Sequence, residues 1–166
     1  MKLKKNLTLN FEYDFDFHLF GIFSGLKDYR ICYNLNKSLN IMLRRNKTDI
    51  LLKNINFENT ISFSSFYFYD KKNELKWYLI NNNSYALSDD FEKKGTIFEN
   101  FESNNFKKFK LIKEKNNIDY FIQIHGLLNS NMKLKIINNI KMIDQIISIY
   151  EIDINRLNSR ENLIIQ

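Results

Sequence analysis

The chain predicts an α+β fold: one domain, mainly antiparallel sheet, a C-terminal β-α-β unit and two main helices on one face. Three observations carry this expectation. Residues 13–23 alternate apolar and polar and then give way to a helical pattern. Two aromatic-rich runs, 60–69 and 74–80, flank the short polar turn Asp70, Lys71, Lys72 and Asn73. Finally, an alternating run at 118–125 is followed by a helical stripe and a β-branched segment at 145–152. A length of 166 residues fits one domain with one sizeable core.

Each element has a local reason. Tyr13, Phe15, Phe17 and Leu19 fall on one strand face and Asp14, Asp16 and His18 on the other. Gly21, Ser24 and Gly25 break that strand, and Ser24 is placed to cap a helix. The helix then shows apolar positions at Leu26, Tyr29, Cys32, Tyr33, Leu35 and Leu39. Residues 41–45 read as a short strand, so strand, helix and strand could form a second β-α-β unit. Aromatic enrichment in the central hairpin favours strand over helix. Residues 81–84 read as a turn, 88–105 as a polar loop and 107–113 as a further strand, and residues 1–10 as a frayed end. In the C-terminal third, Ile118, Tyr120, Ile122 and Ile124 share a face, and Gly126 ends the strand. Asn129 or Ser130 caps a helix striped by Met132, Ile136, Ile137, Ile140 and Ile143, which Asp144 closes. The flanking strands are expected to be parallel, joined by a right-handed crossover.

Composition narrows the function classes. The chain has no Pro or Val and a single Ala, while Asn, Lys, Ile and Phe abound, which points to an AT-biased genome. The net charge of +6 would ordinarily suggest an anionic partner. Twenty of the twenty-five basic residues are Lys, the less specific phosphate ligand, so that signal is discounted. Cys32 stands alone, which excludes an intramolecular disulfide and a multi-Cys zinc site; its plain reading is a small core residue. The basic N-terminus lacks the apolar stretch of a signal peptide, and no run reaches the length of a spanning helix. The expectation is a cytoplasmic protein without a membrane partner. No glycine-rich phosphate loop, nucleophile elbow or zinc helix occurs, so no cofactor and no metal are expected.

The most specific stretch is residues 112–120, Ile-Lys-Glu-Lys-Asn-Asn-Ile-Asp-Tyr. With Leu26, Lys27, Asp28, Tyr29 and Arg30, then Tyr33, Leu35, Asn36, Lys37 and Leu39, and the closing runs 150–153 and 161–164, it resembles the IPExxxVDY family of Bacteroidetes-type bacteria. Ile112, Glu114, Asp119 and Tyr120 match the signature, Lys113 replaces its Pro and Ile118 its Val. The resemblance implies a family and a fold and brings no activity with it.

The signature carboxylates Glu114 and Asp119, beside Tyr120, could form a functional pair. The plainer reading is that they accept backbone N–H groups in a turn while Tyr120 packs in the core. Asp14, Asp16 and His18 could meet a divalent metal, although a solvated strand face looks the same; His125 has no assignable partner. Asp28, Tyr29 and Arg30 offer a candidate interaction edge, with Tyr29 on the apolar stripe and its neighbours flanking it. The reading preferred on these grounds is a non-catalytic interaction or regulatory protein that takes an unknown protein partner or small ligand. RNA binding is the alternative, through a sheet face bearing Phe66, Phe68, Lys76 and Tyr78. An enzyme of unknown class is the third reading; it needs acidic residues to converge with Arg or His in one cleft.

Overall fold

The computed structural model describes residues 15–53, 60–87 and 106–165. The frayed end expected at 1–10, the strand start at Tyr13 and Asp14, and the loop expected at 88–105 lie outside the described residues. The chain runs β1 (His18–Ser24), α1 (Asp28–Leu39), β2 (Arg44–Arg45), β3 (Ile50–Lys53), β4 (Thr60–Phe63), β5 (Ser65–Asp70) and β6 (Leu75–Asn81). It continues through β7 (Asn83–Leu87), β8 (Phe106–Lys110), β9 (Tyr120–His125), α2 (Ser130–Lys141) and β10 (Ile146–Ile152). Two short 3-10 turns, Ile154–Arg156 and Arg160–Leu163, follow.

Six strands form one sheet in the order β10-β1-β9-β6-β5-β2, and each neighbouring pair is antiparallel. Two two-stranded ribbons, β3-β4 and β7-β8, accompany it. The architecture is the α+β class that the sequence predicts. The β-α-β expectation is corrected in one respect. β9 and β10 both run antiparallel to β1 and so run in the same direction, but β1 lies between them. The N-terminal unit is split more widely, since β9, β6 and β5 separate β1 from β2. Helical connections supply the direction, while the intervening strands complete the antiparallel ladder.

Both sheet faces are covered. On one, Phe20, Ile22, Trp77, Leu79, Ile122 and Ile124 pack under Ile31 and Leu35 of α1 and Ile136 and Ile140 of α2. On the other, Leu19, Ile80 and Phe121 pack beneath Ile61 and Phe63 of β4, Leu111, Ile112 and Ile118, and Leu157 and Leu163 near the C-terminus. This second core covers the other face of β9, so five of its six residues are buried although the strand reads as alternating in sequence. It also moves Ile118, expected on the face of Tyr120, outside the strand and into the opposite core. Gly21 sits at the point of closest approach, where a Cβ would stand 2.5 Å from Cδ1 of Ile118 and 2.8 Å from Cδ1 of Ile152.

Other local expectations shift. Residues 60–69 are two strands in different sheets, divided at Ser64. β3 was not foreseen, and the expected turn at 81–84 instead carries the end of β6 into β7. Ser24 does not cap α1: Lys27 holds the N-cap position, while the Ser24 hydroxyl donates to the Gln145 carbonyl (2.9 Å). Asn129 caps α2, its Oδ1 accepting from the Met132 N–H at 2.8 Å. α2 ends at Lys141, ahead of Asp144.

Candidate functional site

The structure gathers Asp28, Asp119 and Tyr120 into one polar network where β1 and β6 end and β9 begins. β9 turns Tyr120 toward the helices, and its hydroxyl lies 2.6 Å from the Leu26 carbonyl and 3.2 Å from Oδ1 of Asp28. Asp28, in the first turn of α1, also accepts from Nδ2 of Asn81 at 3.0 Å and from the Ser64 hydroxyl. Oδ1 of Asn81 accepts from the Asn83 N–H (2.8 Å), and Nδ2 of Asn83 donates to Oδ1 of Asp119 (3.0 Å). Oδ2 of Asp119 accepts from the Ser24 N–H at 3.1 Å. Burial, then the charge and hydrogen bond of Asp28, then the charge of Asp119, push the Tyr120 hydroxyl well above its ordinary range.

Glu114 does not join this network. Its carboxylate accepts from the backbone N–H of Ser159 at 2.8 Å and from the Ser159 hydroxyl at 2.9 Å, clipping the 111–118 segment to the C-terminal turns. Desolvation works against its charge, but the hydrogen bonds from Ser159, together with those from the backbone of Glu114 and Asn158, outweigh it and hold the carboxyl below its usual range. Ile112 and Ile118 are fully buried. The signature positions therefore divide between core packing and backbone capture.

The hub of the arrangement is a residue that the sequence left inside a turn. Asn82 is 0% exposed. Its Nδ2 donates to the carbonyls of Lys115 (3.1 Å) and Ile118 (2.9 Å), and its Oδ1 accepts from the Ile112 N–H (2.9 Å). Lys110 adds a second donor to the Ile118 carbonyl at 2.8 Å. Burial, reinforced by Lys108 and opposed by Asp119, lowers the affinity of Lys110 for its proton. The run Asn81, Asn82, Asn83 was the available signal: consecutive amides supply donor and acceptor side by side.

The proposed interaction edge is rearranged. Asp28 points inward, whereas Tyr29, expected on the apolar stripe, is 66% exposed, as is Tyr33 one turn later. The buried stripe is Ile31, Cys32 and Leu35. Tyr29 and Arg30 instead line a depression of about 570 Å³ with Leu26, Lys27, Gln145 and Ile147. Ile147, at the irregularity in the β1–β10 register, is 67% exposed. β10 is the terminal strand of the sheet, and among the described residues its outer edge is unpaired.

The remaining candidates resolve individually. Asp14 lies outside the described residues, Asp16 is exposed, and among the described residues no group of three metal-binding side chains converges. His18 is near Glu151 (3.8 Å), which also pairs with Lys133 at 2.6 Å. His125 sits between the rings of Phe17 and Tyr78, its Nε2 lying 2.9 Å from Nε2 of Gln123. Phe66 and Phe68 belong to the helix-side core, whereas Lys76 and Tyr78 face the other way, so these four residues do not form one stacking platform. Cys32 is buried, and desolvation pushes its thiol up to about 11, which suits a core residue.

Comparison of the chain with protein-family models, curated proteins and solved structures gives no match. Among the described residues no helix is long and apolar enough to cross a membrane.

Proposed function

We propose that this chain is a non-catalytic interaction or regulatory protein of the cytoplasm, and that its contact face is the α1–β10 edge. The observation that carries this reading is the exposure of Tyr29 and Ile147 together, in a depression also lined by Leu26 and Arg30, with the exposed Tyr33 one helical turn from Tyr29. Tyrosines with an arginine at the rim of an apolar patch are the residue types that dominate protein-binding surfaces. The unpaired edge of β10 among the described residues offers backbone donors and acceptors to an added strand. Of the carboxylates that an enzyme reading would recruit, Asp28, Asp119 and Glu114 accept hydrogen bonds from Ser24, Asn81, Asn83 and Ser159. Membership of the IPExxxVDY family belongs to the same proposal and rests on the sequence runs alone.

The test is a native mass spectrum of the tagged protein isolated from bacterial lysate after nuclease treatment. A stoichiometric protein adduct that survives nuclease, and is lost in Tyr29→Ser combined with Ile147→Ser, supports this reading. Nucleic acid carried before the nuclease step, with no protein adduct after it, contradicts it and favours RNA binding.

A further inference from the structure

The sheet face turned away from the helices carries a row of side chains across four strands. Arg44 stands opposite Tyr67, Tyr67 opposite Tyr78, and Tyr78 opposite Gln123; directly opposed residues share a face. The Tyr67 and Tyr78 rings lie 4.9 Å apart, tilted by 41°, and both border a cavity of about 590 Å³. The connection from β2 to β3, with Asn46, Lys47 and Thr48, forms another part of its lining, together with the apolar Ile164. That volume suits a small organic ligand.

The polar lining is held in place before any ligand arrives. The Asn46 N–H donates to the Ser65 carbonyl at 2.9 Å, and Nδ2 of Asn46 donates to the Ser65 hydroxyl at 2.8 Å. Nη1 of Arg45 reaches the same carbonyl at 3.1 Å, and Ser65 itself is only 1% exposed. Arg45 also pairs with Asp49, which neutralises the one carboxylate bordering the cavity among the described residues. Two cations remain: Lys47 in the lining and Arg44 in the adjoining row, both exposed and neither in an ion pair among the described residues. Such pre-organisation lowers the ordering cost of binding.

Rings beside uncompensated cations select a recognisable chemistry. An offset aromatic ring stacks against tyrosine, and an anionic substituent is attracted to the cations. We propose that this cavity binds a small planar aromatic anion, its ring against Tyr67 and Tyr78 and its charge toward Lys47 and Arg44. The site lies at the β2 end of the sheet, away from the α1–β10 edge, so it stands independently of the interaction reading.

The experiment is a heteronuclear NMR titration of the full chain with naphthoate, using naphthyl methanol as the uncharged control. Saturable shifts confined to the amides of 46–51, Tyr67 and Tyr78, with naphthoate the tighter ligand, are expected. Replacing both exposed cations (Arg44→Ala with Lys47→Ala) is expected to weaken naphthoate by about tenfold and leave naphthyl methanol unchanged. The spectrum of the double variant reports in the same experiment that the fold is intact. Non-saturating shifts, shifts centred elsewhere, or naphthoate affinity unchanged by the double replacement would overturn the proposal.

Discussion

The Tyr120 hydroxyl lies 3.2 Å from Oδ1 of Asp28, although 92 residues separate them in the chain. That contact joins the first strand after the signature loop to the first turn of α1. It makes Asp28 and Tyr120 members of one structural joint. Tyr120→Phe removes the hydroxyl from the Leu26 carbonyl and from Asp28 while keeping the ring. The expected cost is about 1–3 kcal/mol, since a buried acceptor loses its donor. Urea denaturation monitored by Trp77 fluorescence measures it, and an unchanged midpoint would show the contact to be energetically idle.

Asn82→Ala should be more damaging. Three side-chain hydrogen bonds vanish at a fully buried position, leaving the Ile112 N–H and the Lys115 carbonyl without these partners. A loss of about 3 kcal/mol is expected. Asn82→Asp should be worse than Ala, because it places a negative charge against the carbonyls of Lys115 and Ile118. An Asp variant as stable as the wild type would refute this account of the hub.

Glu114 gives a pH dependence of definite sign. Its folded carboxyl titrates below its usual value, so its charged form contributes stability that is fully present above the unfolded pKa. That contribution fades as pH falls through the folded pKa. Glu114→Gln should therefore be less stable than wild type at neutral pH, with the difference shrinking below about pH 4. A difference that grew toward acid pH would contradict the Ser159 clip.

Gly126 follows β9 with φ at +113°, and a Cβ there would stand 2.9 Å from the Glu74 carbonyl oxygen. Both the conformation and the backbone contact oppose a side chain. Gly126→Ala should cost about 2 kcal/mol, read as a lowered thermal midpoint with native-like circular dichroism at low temperature.

What the sequence made legible follows from the range of the physics involved. The positions of α1, α2, β9 and β10 are written in local periodicity, and they stand within a few residues of expectation. The insertion of β1 between β9 and β10 depends on long-range pairing, which no local pattern encodes. Tyr29 and Ile31 both fit a helical stripe. Choosing between them depends on which face the sheet presents, and a tyrosine tolerates solvent at its hydroxyl. Glu114 and Asp119 were legible as acceptors of backbone N–H groups, but within their own turn rather than across the fold. Their partners Ser159, Ser24 and Asn83 were not, because 45, 95 and 36 residues separate donor and acceptor.

The central claim is that the signature carboxylates build the fold while the exposed α1–β10 edge meets the partner. The most direct measurement pairs the unfolding midpoint with the nuclease-resistant adduct for two variants, Asp119→Asn and Tyr29→Ser combined with Ile147→Ser. The account expects Asp119→Asn to lower the midpoint and retain the adduct, and the surface pair to keep the midpoint and lose the adduct. An Asp119→Asn protein of unchanged stability that has lost its adduct would contradict it and place function at the carboxylate network instead.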